Sequence, residues 1–221
     1  MAELVVVRHG QARFGAADYD ALSDLGLAQA RALGAHLAAL GWQPDRLICG
    51  SLARQRQTLA ALAEVMQCTN IAVQHHGGFD EYDFDDMLRC AFPDGLPEGV
   101  GRDRRAHFRT LRSVLADWQA GRLAGVAESW PGFCARVEAA RIAATAAGAR
   151  RVLAVSSGGV MARLAQAALG APDAAMIALN MQIANTAMVR FVFNPRAFHL
   201  NAFNTTPHLD RPDRVGMLSY S

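Results

Sequence analysis

Leu4-Val5-Val6-Val7-Arg8-His9-Gly10 is the stretch that decides the fold. Four successive apolar residues, three of them β-branched, suit a strand buried on both faces, as in a parallel sheet. The run passes directly into a basic pair and a glycine, which mark a strand-to-loop exit. A helix is predicted next. Ser23 is its candidate N-cap, and Leu25, Ala28, Ala32, Leu33 and Leu37 recur near helical spacing before Gly41. Residues 45–49 read as a second strand, 52–66 as a second helix and 71–73 as a third strand. This alternation predicts an α/β fold, a three-layer α/β/α sandwich with a mostly parallel sheet.

The rhythm breaks in the middle of the chain. Residues 86–127 contain no convincing strand, 92–99 form a loop by their proline and glycine content, and 104–118 read as a helix. Their apolar content is too small for a core of their own. The expected organisation is one domain over residues 1–221, with a helical cap at about 86–127. The α/β pattern then returns: a helix at 133–147 with Gly148 beyond it, a strand at 151–155 and a turn at Ser156-Ser157-Gly158-Gly159. A helix at 160–169 and strands at 186–193 and 199–203 complete it.

Composition narrows the chemistry. The chain has 221 residues, 52% hydrophobic and 19% charged, which excludes a disordered or fibrous protein. With 22 basic against 20 acidic residues, its balance leaves no footprint for nucleic acid or an anionic membrane. All 22 basic residues are arginine. Schiff-base chemistry, pyridoxal phosphate attachment and a P-loop lysine are therefore excluded. Any anion must be held by arginine, histidine or backbone amides. No apolar run is long enough for a membrane span, and no secretory signal opens the chain. Cys49, Cys68, Cys90 and Cys134 are widely spaced and read as free thiols of a cytoplasmic protein.

In an open parallel sheet, ligands sit outside the carboxyl ends of the strands. Three segments fit that place: Arg8-His9-Gly10, residues 51–54, and Ser156 to Gly159, the last opening a helix whose amides favour an anion. Arginine forks match phosphate oxygens, and histidine serves as nucleophile or acid–base group. Phe79-Asp80-Glu81-Tyr82-Asp83-Phe84 adds carboxylates, within a run of five acids in seven residues that also reads as a solvated loop.

In order along the chain, these motifs resemble the histidine phosphatase superfamily, the phosphoglycerate mutase-like family. Arg8-His9-Gly10-Gln11 begins the resemblance. Leu22-Ser23-Asp24-Leu25-Gly26 with Gln29-Ala30 resembles the family's Leu-Thr-x-x-Gly-x-x-Gln-Ala helix start. Arg54-Gln55-Arg56-Gln57-Thr58 resembles its Arg-Ala-x-Gln-Thr signature. Residues 79–84 resemble its acidic loop, Glu128-Ser129 with Phe133, Arg136 and Val137 its late helix, and Asn204 with His208-Leu209 its ending.

The resemblance implies a metal-independent phosphatase, needing no cofactor, that hydrolyses a small phosphorylated metabolite. His9 would become phosphohistidine, with Arg8, Arg54, Gln11, Ser157 and Gly158 holding phosphoryl oxygens. Glu81 would protonate the leaving group, with Asp83 as the alternative acid. No metal-ligand set is visible, and His75 and His76 point to opposite faces of a strand.

Three positions depart from the pattern. Ser157 stands where the family has a second histidine, Gly15 near a phosphate-binding asparagine of mutase-like members, and Gly50 where serine is usual. A phosphoglycerate mutase and a weak or inactive relative that binds phosphorylated ligands or a protein partner remain the alternatives. A homodimer fits a soluble enzyme of this size. Arg102, Arg105, Arg109 and Arg112 share one helix face, either solvated or a rim steering a polyanion. His208 reads as structural, and Trp118 and Trp130 as packing.

Overall fold

The computed structural model describes residues 1–13, 20–100 and 103–220. The Gly15 and Arg102 readings fall outside them. At the sheet centre lies β1 (Ala2–Arg8), paired in parallel with β4 (Arg151–Ser156) and antiparallel with β5 (Met188–Asn194). With β2 (Arg46–Cys49), β3 (Val73–His75) and β6 (Ala197–Thr205), the strand order is β3-β2-β4-β1-β5-β6. From β3 to β1 all strands run parallel, and β5 reverses. The sheet is mostly parallel, as its first strand implies.

The pleat sends Val5 and Val7 to one face and Leu4 and Val6 to the other, all fully buried. On the first face they meet Leu33 and Leu37 of α1 (Asp24–Ala39) and Leu59 and Leu62 of α2 (Ala53–Val65). On the second they join Phe133 and Val137 of α5 (Trp130–Ala144) and Val160 and Leu164 of α6 (Gly158–Ala168). Each such aliphatic side chain contributes roughly 1.5–3 kcal/mol when fully buried. Two helical layers on one sheet give the three-layer sandwich.

Between β3 and α5 the chain is helical, with α3 (Phe84–Ala91) and α4 (Arg104–Gln119). Trp118 of α4 stands 5.3 Å from Trp130, ring centre to ring centre, and packs on Phe133 and Tyr82. Both indoles are buried with their N–H satisfied, Trp118 on the Glu128 carbonyl and Trp130 on Asp173. The helical segment thus shares the aromatic core of α5. Among the described residues no helix is long and apolar enough to cross a membrane.

Several boundaries differ from the sequence expectation. α5 begins at Trp130, not 133, because the Ser129 hydroxyl accepts the Gly132 amide and Pro131 sits in the first turn. α6 begins at Gly158, so the two glycines open the helix instead of forming a turn. The third strand lies at 73–75. α3 and α7 (Asp173–Asn180) were not expected. α3 is capped by Asp83, whose carboxylate accepts the Asp86 amide.

One contact fixes the geometry around His9. The loop after β1 passes so close to α1 that a Cβ on Gly10 would overlap the Gly26 carbonyl, and a Cβ on Gly26 would overlap that of Gln11. Gly26→Ala must therefore separate two backbones. We expect a loss of about 1–3 kcal/mol, seen as a lower midpoint in thermal unfolding, together with reduced activity as the His9 loop shifts.

Candidate active site

β1, β2 and β4 end at the same edge of the sheet. The chain leaves β1 toward α1 on one face and leaves β4 toward α6 on the other. A crevice opens at such a divergence, and His9, Ser157 and the start of α2 converge on it.

The His9 main chain is held from both sides. Its amide donates to the Ser156 carbonyl at 2.9 Å, and its carbonyl accepts from Asn185 Nδ2 at 3.2 Å. Its ring is only 4% exposed. Nδ1 lies 2.8 Å from the Gly10 carbonyl, and Nε2 lies 3.2 Å from Arg54 Nε. A carbonyl can only accept and a guanidinium can only donate. The ring is therefore the neutral Nδ1–H tautomer, with the Nε2 lone pair facing Arg54. Burial first, then the Arg8 and Arg54 charges, hold the imidazole well below its ordinary value, so it stays neutral.

Arg54 is oriented by Asp20: Nη1 meets Oδ1 at 2.7 Å, while Oδ2 accepts the Ala53 amide at the start of α2. Arg8 Nη1 donates to the Ile183 carbonyl at 2.5 Å. The rest of the Arg54–Thr58 segment laces α2 to the same loop. Gln57 accepts the Leu22 amide, and the Thr58 hydroxyl accepts the Gly10 amide.

Glu81 reaches the crevice from the loop before α3. Its Oε2 accepts the Gly159 amide at 2.9 Å, at the start of α6. Burial pushes its carboxyl above the ordinary carboxylate value, against the pull of that amide and of Arg54 and Arg8. A Cβ on Gly159 would overlap both Glu81 and the Tyr82 ring, so only glycine allows this approach. Arg136 holds the loop from beneath. Its Nη1 donates to the Asp80 and Gly77 carbonyls at 2.7 and 3.0 Å, and its Nε pairs with Glu128 at 2.5 Å.

Arg8, Arg54, His9 and Glu81 thus come together. Ser157 stands at the same helix start, fully buried, with its Oγ accepting from Gln55 Nε2 at 2.9 Å. Gly158 is also buried, and a Cβ there would overlap Asn180. The Gly159 amide is committed to Glu81, which leaves less of the helix terminus to an external anion than the glycine turn implied. Gln11 turns away: its Oε1 accepts from Ser23 Oγ at the α1 cap.

Sequence reasoning did not find Asp20, Gln29, Gln55, Arg136 or Asn185 as parts of this site. Gln29 Oε1 accepts the Gln11 amide, and its Nε2 donates to the Ser219 hydroxyl, which in turn donates to Asn185. Gln29, Gln55 and Arg136 lie within the motifs quoted above, Gln55 as the residue that breaks the alanine of the signature, whereas Asp20 and Asn185 lie in none of them. His208 is buried, with Nε2 2.9 Å from the Thr186 hydroxyl behind β1. Arg105, Arg109 and Arg112 line a cleft of about 720 Å³ along α4 with Asp103 and Phe108. None of these residues belongs to the crevice at β1 and β4.

Fold and crevice together define an α/β protein with an arginine-flanked histidine at the ends of its central strands. The chain belongs to the histidine phosphatase superfamily (branch 1), whose family model matches residues 4–206. A mycobacterial glucosyl-3-phosphoglycerate phosphatase solved with inorganic phosphate is similar at 23% identity and TM-score 0.65, over 95% of this chain and 100% of that one. The α-ribazole phosphatase of Shigella flexneri is similar at 20% identity and TM-score 0.65, over 92% and 96%. A phosphoserine phosphatase mutant of Entamoeba histolytica in complex with phosphoserine is similar at 18% and 0.66, over 95% and 100%. At these identities the likeness is one of fold. Comparison with curated proteins finds no match.

Proposed function

We propose that this chain is a metal-independent phosphatase of small phosphorylated metabolites in the cytoplasm. The observation that carries the reading is the fixed neutral tautomer of His9, with its Nε2 lone pair directed at Arg54. In the first half-reaction Nε2 attacks phosphorus. The ester bond breaks, and the leaving oxygen takes the proton of Glu81. Arg54 and Arg8 offset the charge on the phosphoryl oxygens. In the second half-reaction the Glu81 carboxylate takes a proton from water, whose oxygen attacks the phosphohistidine and releases phosphate and free His9.

Asp83 suits the acid's role less well, because its side chain is exposed and caps α3. Glu81 instead meets the α6 start and carries the raised pKa that a general acid needs. The absence of a cation at Ser157 favours, as second reading, a relative that binds phosphorylated ligands without turning them over.

The test is hydrolysis of p-nitrophenyl phosphate in excess chelator, with acid-labile, alkali-stable phosphate trapped on the protein. Turnover with trapped label is the expected result. Saturable binding of inorganic phosphate with no turnover of any phosphoester would move the assignment to the second reading. Exchange between phosphoglycerate isomers that requires a bisphosphate primer would make it a mutase.

A further inference from the structure

Gln55 occupies the first turn of α2 beside Arg54, yet points inward and is fully buried. Its Nε2 donates to two acceptors, the Phe79 carbonyl and Ser157 Oγ, both at 2.9 Å. Because Phe79 offers a carbonyl, the end of the carboxamide facing both partners is the NH2 group. Its other end, Oε1, is buried without a partner among the described residues. It faces the bare side of Gly50, where a Cβ would overlap it. A buried orphan oxygen is costly. The chain bears that cost while both N–H groups of Gln55 stay engaged.

The consequence falls on Ser157. Its oxygen already accepts from Gln55, so its hydroxyl proton points elsewhere. The hydroxyl does not cap α6, and no described residue accepts its proton. A fully buried hydroxyl in this state is a donor held in readiness. It is flanked by Gly158, close to Arg8, and by Gly159, bound to Glu81.

We propose that Gln55 is a positioning residue that aims the Ser157 hydroxyl at a phosphoryl oxygen, and that Gln55, Ser157 and Gly50 form one coupled unit. The inference rests on the phosphatase reading for its anion. In the motif comparison Gln55 replaces an alanine, Ser157 a histidine and Gly50 a serine. Sterically these are one exchange: the carboxamide, with the Asp80 carboxylate beside it, fills the space that Gly50 leaves bare, it reaches the short Ser157 side chain, and a neutral donor stands in place of a cation. Restoring histidine alone therefore drives an imidazole into the Gln55 side chain.

The experiment is calorimetric titration of the full chain with inorganic phosphate, which needs no turnover. Ser157→Ala should weaken binding about 3- to 10-fold, the scale of one neutral hydrogen bond. Gln55→Leu, which keeps the volume and removes the donor, should weaken it by a similar factor. The double variant should be no worse than either single one, because Gln55 acts only through Ser157. Ser157→His should lose affinity, and Ser157→His with Gln55→Ala should regain it and bind more tightly as pH falls through the imidazole range, beyond the pH dependence of the wild type.

Additive single effects, an unaltered affinity in Gln55→Leu, or improved binding by Ser157→His alone would each overturn the proposal. If the wild type binds phosphate with this coupling yet hydrolyses nothing, the phosphatase reading fails and the positioning role stands. If it binds no phosphate, the positioning role fails too.

Discussion

His9→Ala is expected to abolish phosphoester hydrolysis, with kcat/KM down roughly 10⁴-fold or more, the scale seen when a catalytic nucleophile is deleted. The size of the effect follows from the geometry. Nδ1–H is committed to the Gly10 carbonyl, and Nε2 is the single ring atom left with a lone pair. Burial and two flanking guanidiniums keep that lone pair unprotonated well into the acid range. Among the described residues of the crevice, none offers a second nucleophile paired with a base. Ser157 has a hydroxyl but no adjacent base among its described partners. His9→Asn is the companion variant, because it keeps polar volume in a buried place. Both should retain the wild-type circular dichroism spectrum while losing the alkali-stable phosphate label. A labelled His9→Ala protein would place the covalent step on another residue.

Glu81→Gln has the second largest expected effect, and it depends on the leaving group. An alkyl alcohol departs poorly as an anion, so losing the proton donor should cost about 10²–10⁴-fold in kcat. p-Nitrophenolate is stable as an anion, and its release should slow far less. The pH profile carries the same signature. Glu81 has its pKa raised by burial, so the protonated acid persists to higher pH than an ordinary carboxyl. As pH rises through that value the acid form is lost, and hydrolysis of alkyl phosphates falls. In Glu81→Gln this alkaline limb should vanish. Equal losses for both leaving groups would argue that Glu81 only orders the α6 start through Gly159.

The parts legible in the sequence are those where one short segment carries its own signal. Leu4 to Val7 announces a two-sided strand, and the Ser23 cap and the buried helical faces follow from spacing. Arg8, His9, Arg54 and Glu81 were readable because each ends an element or sits within a motif. Helix α3 was not, because five acids in seven residues look solvated, although Asp83 among them is a cap and Met87 and Leu88 bury the helix. Strand β3 is an exposed edge of three residues, too short for any periodicity to place its ends. The supports of the His9 loop were equally hidden. Asn185 reaches the His9 carbonyl across 176 positions, and Gln29 reaches Ser219 across 190. Gln29 lies in a motif, but nothing local names Ser219 as its partner, and Asn185 lies in no motif; only folding brings such partners together.

The central place of β1 has a further consequence, for how the chain reaches this state. Strand β1 pairs with strands made much later in the chain, which begin at residues 151 and 188. Such distant pairings make folding slow. Until those strands are made, Leu4 to Val7 is an uncharged, apolar and mostly β-branched run with both edges open, the composition that seeds intermolecular sheets. Aggregation during synthesis and refolding should therefore begin at the strand that delivers His9. The yield of soluble protein will depend on how soon β4 and β5 close over it.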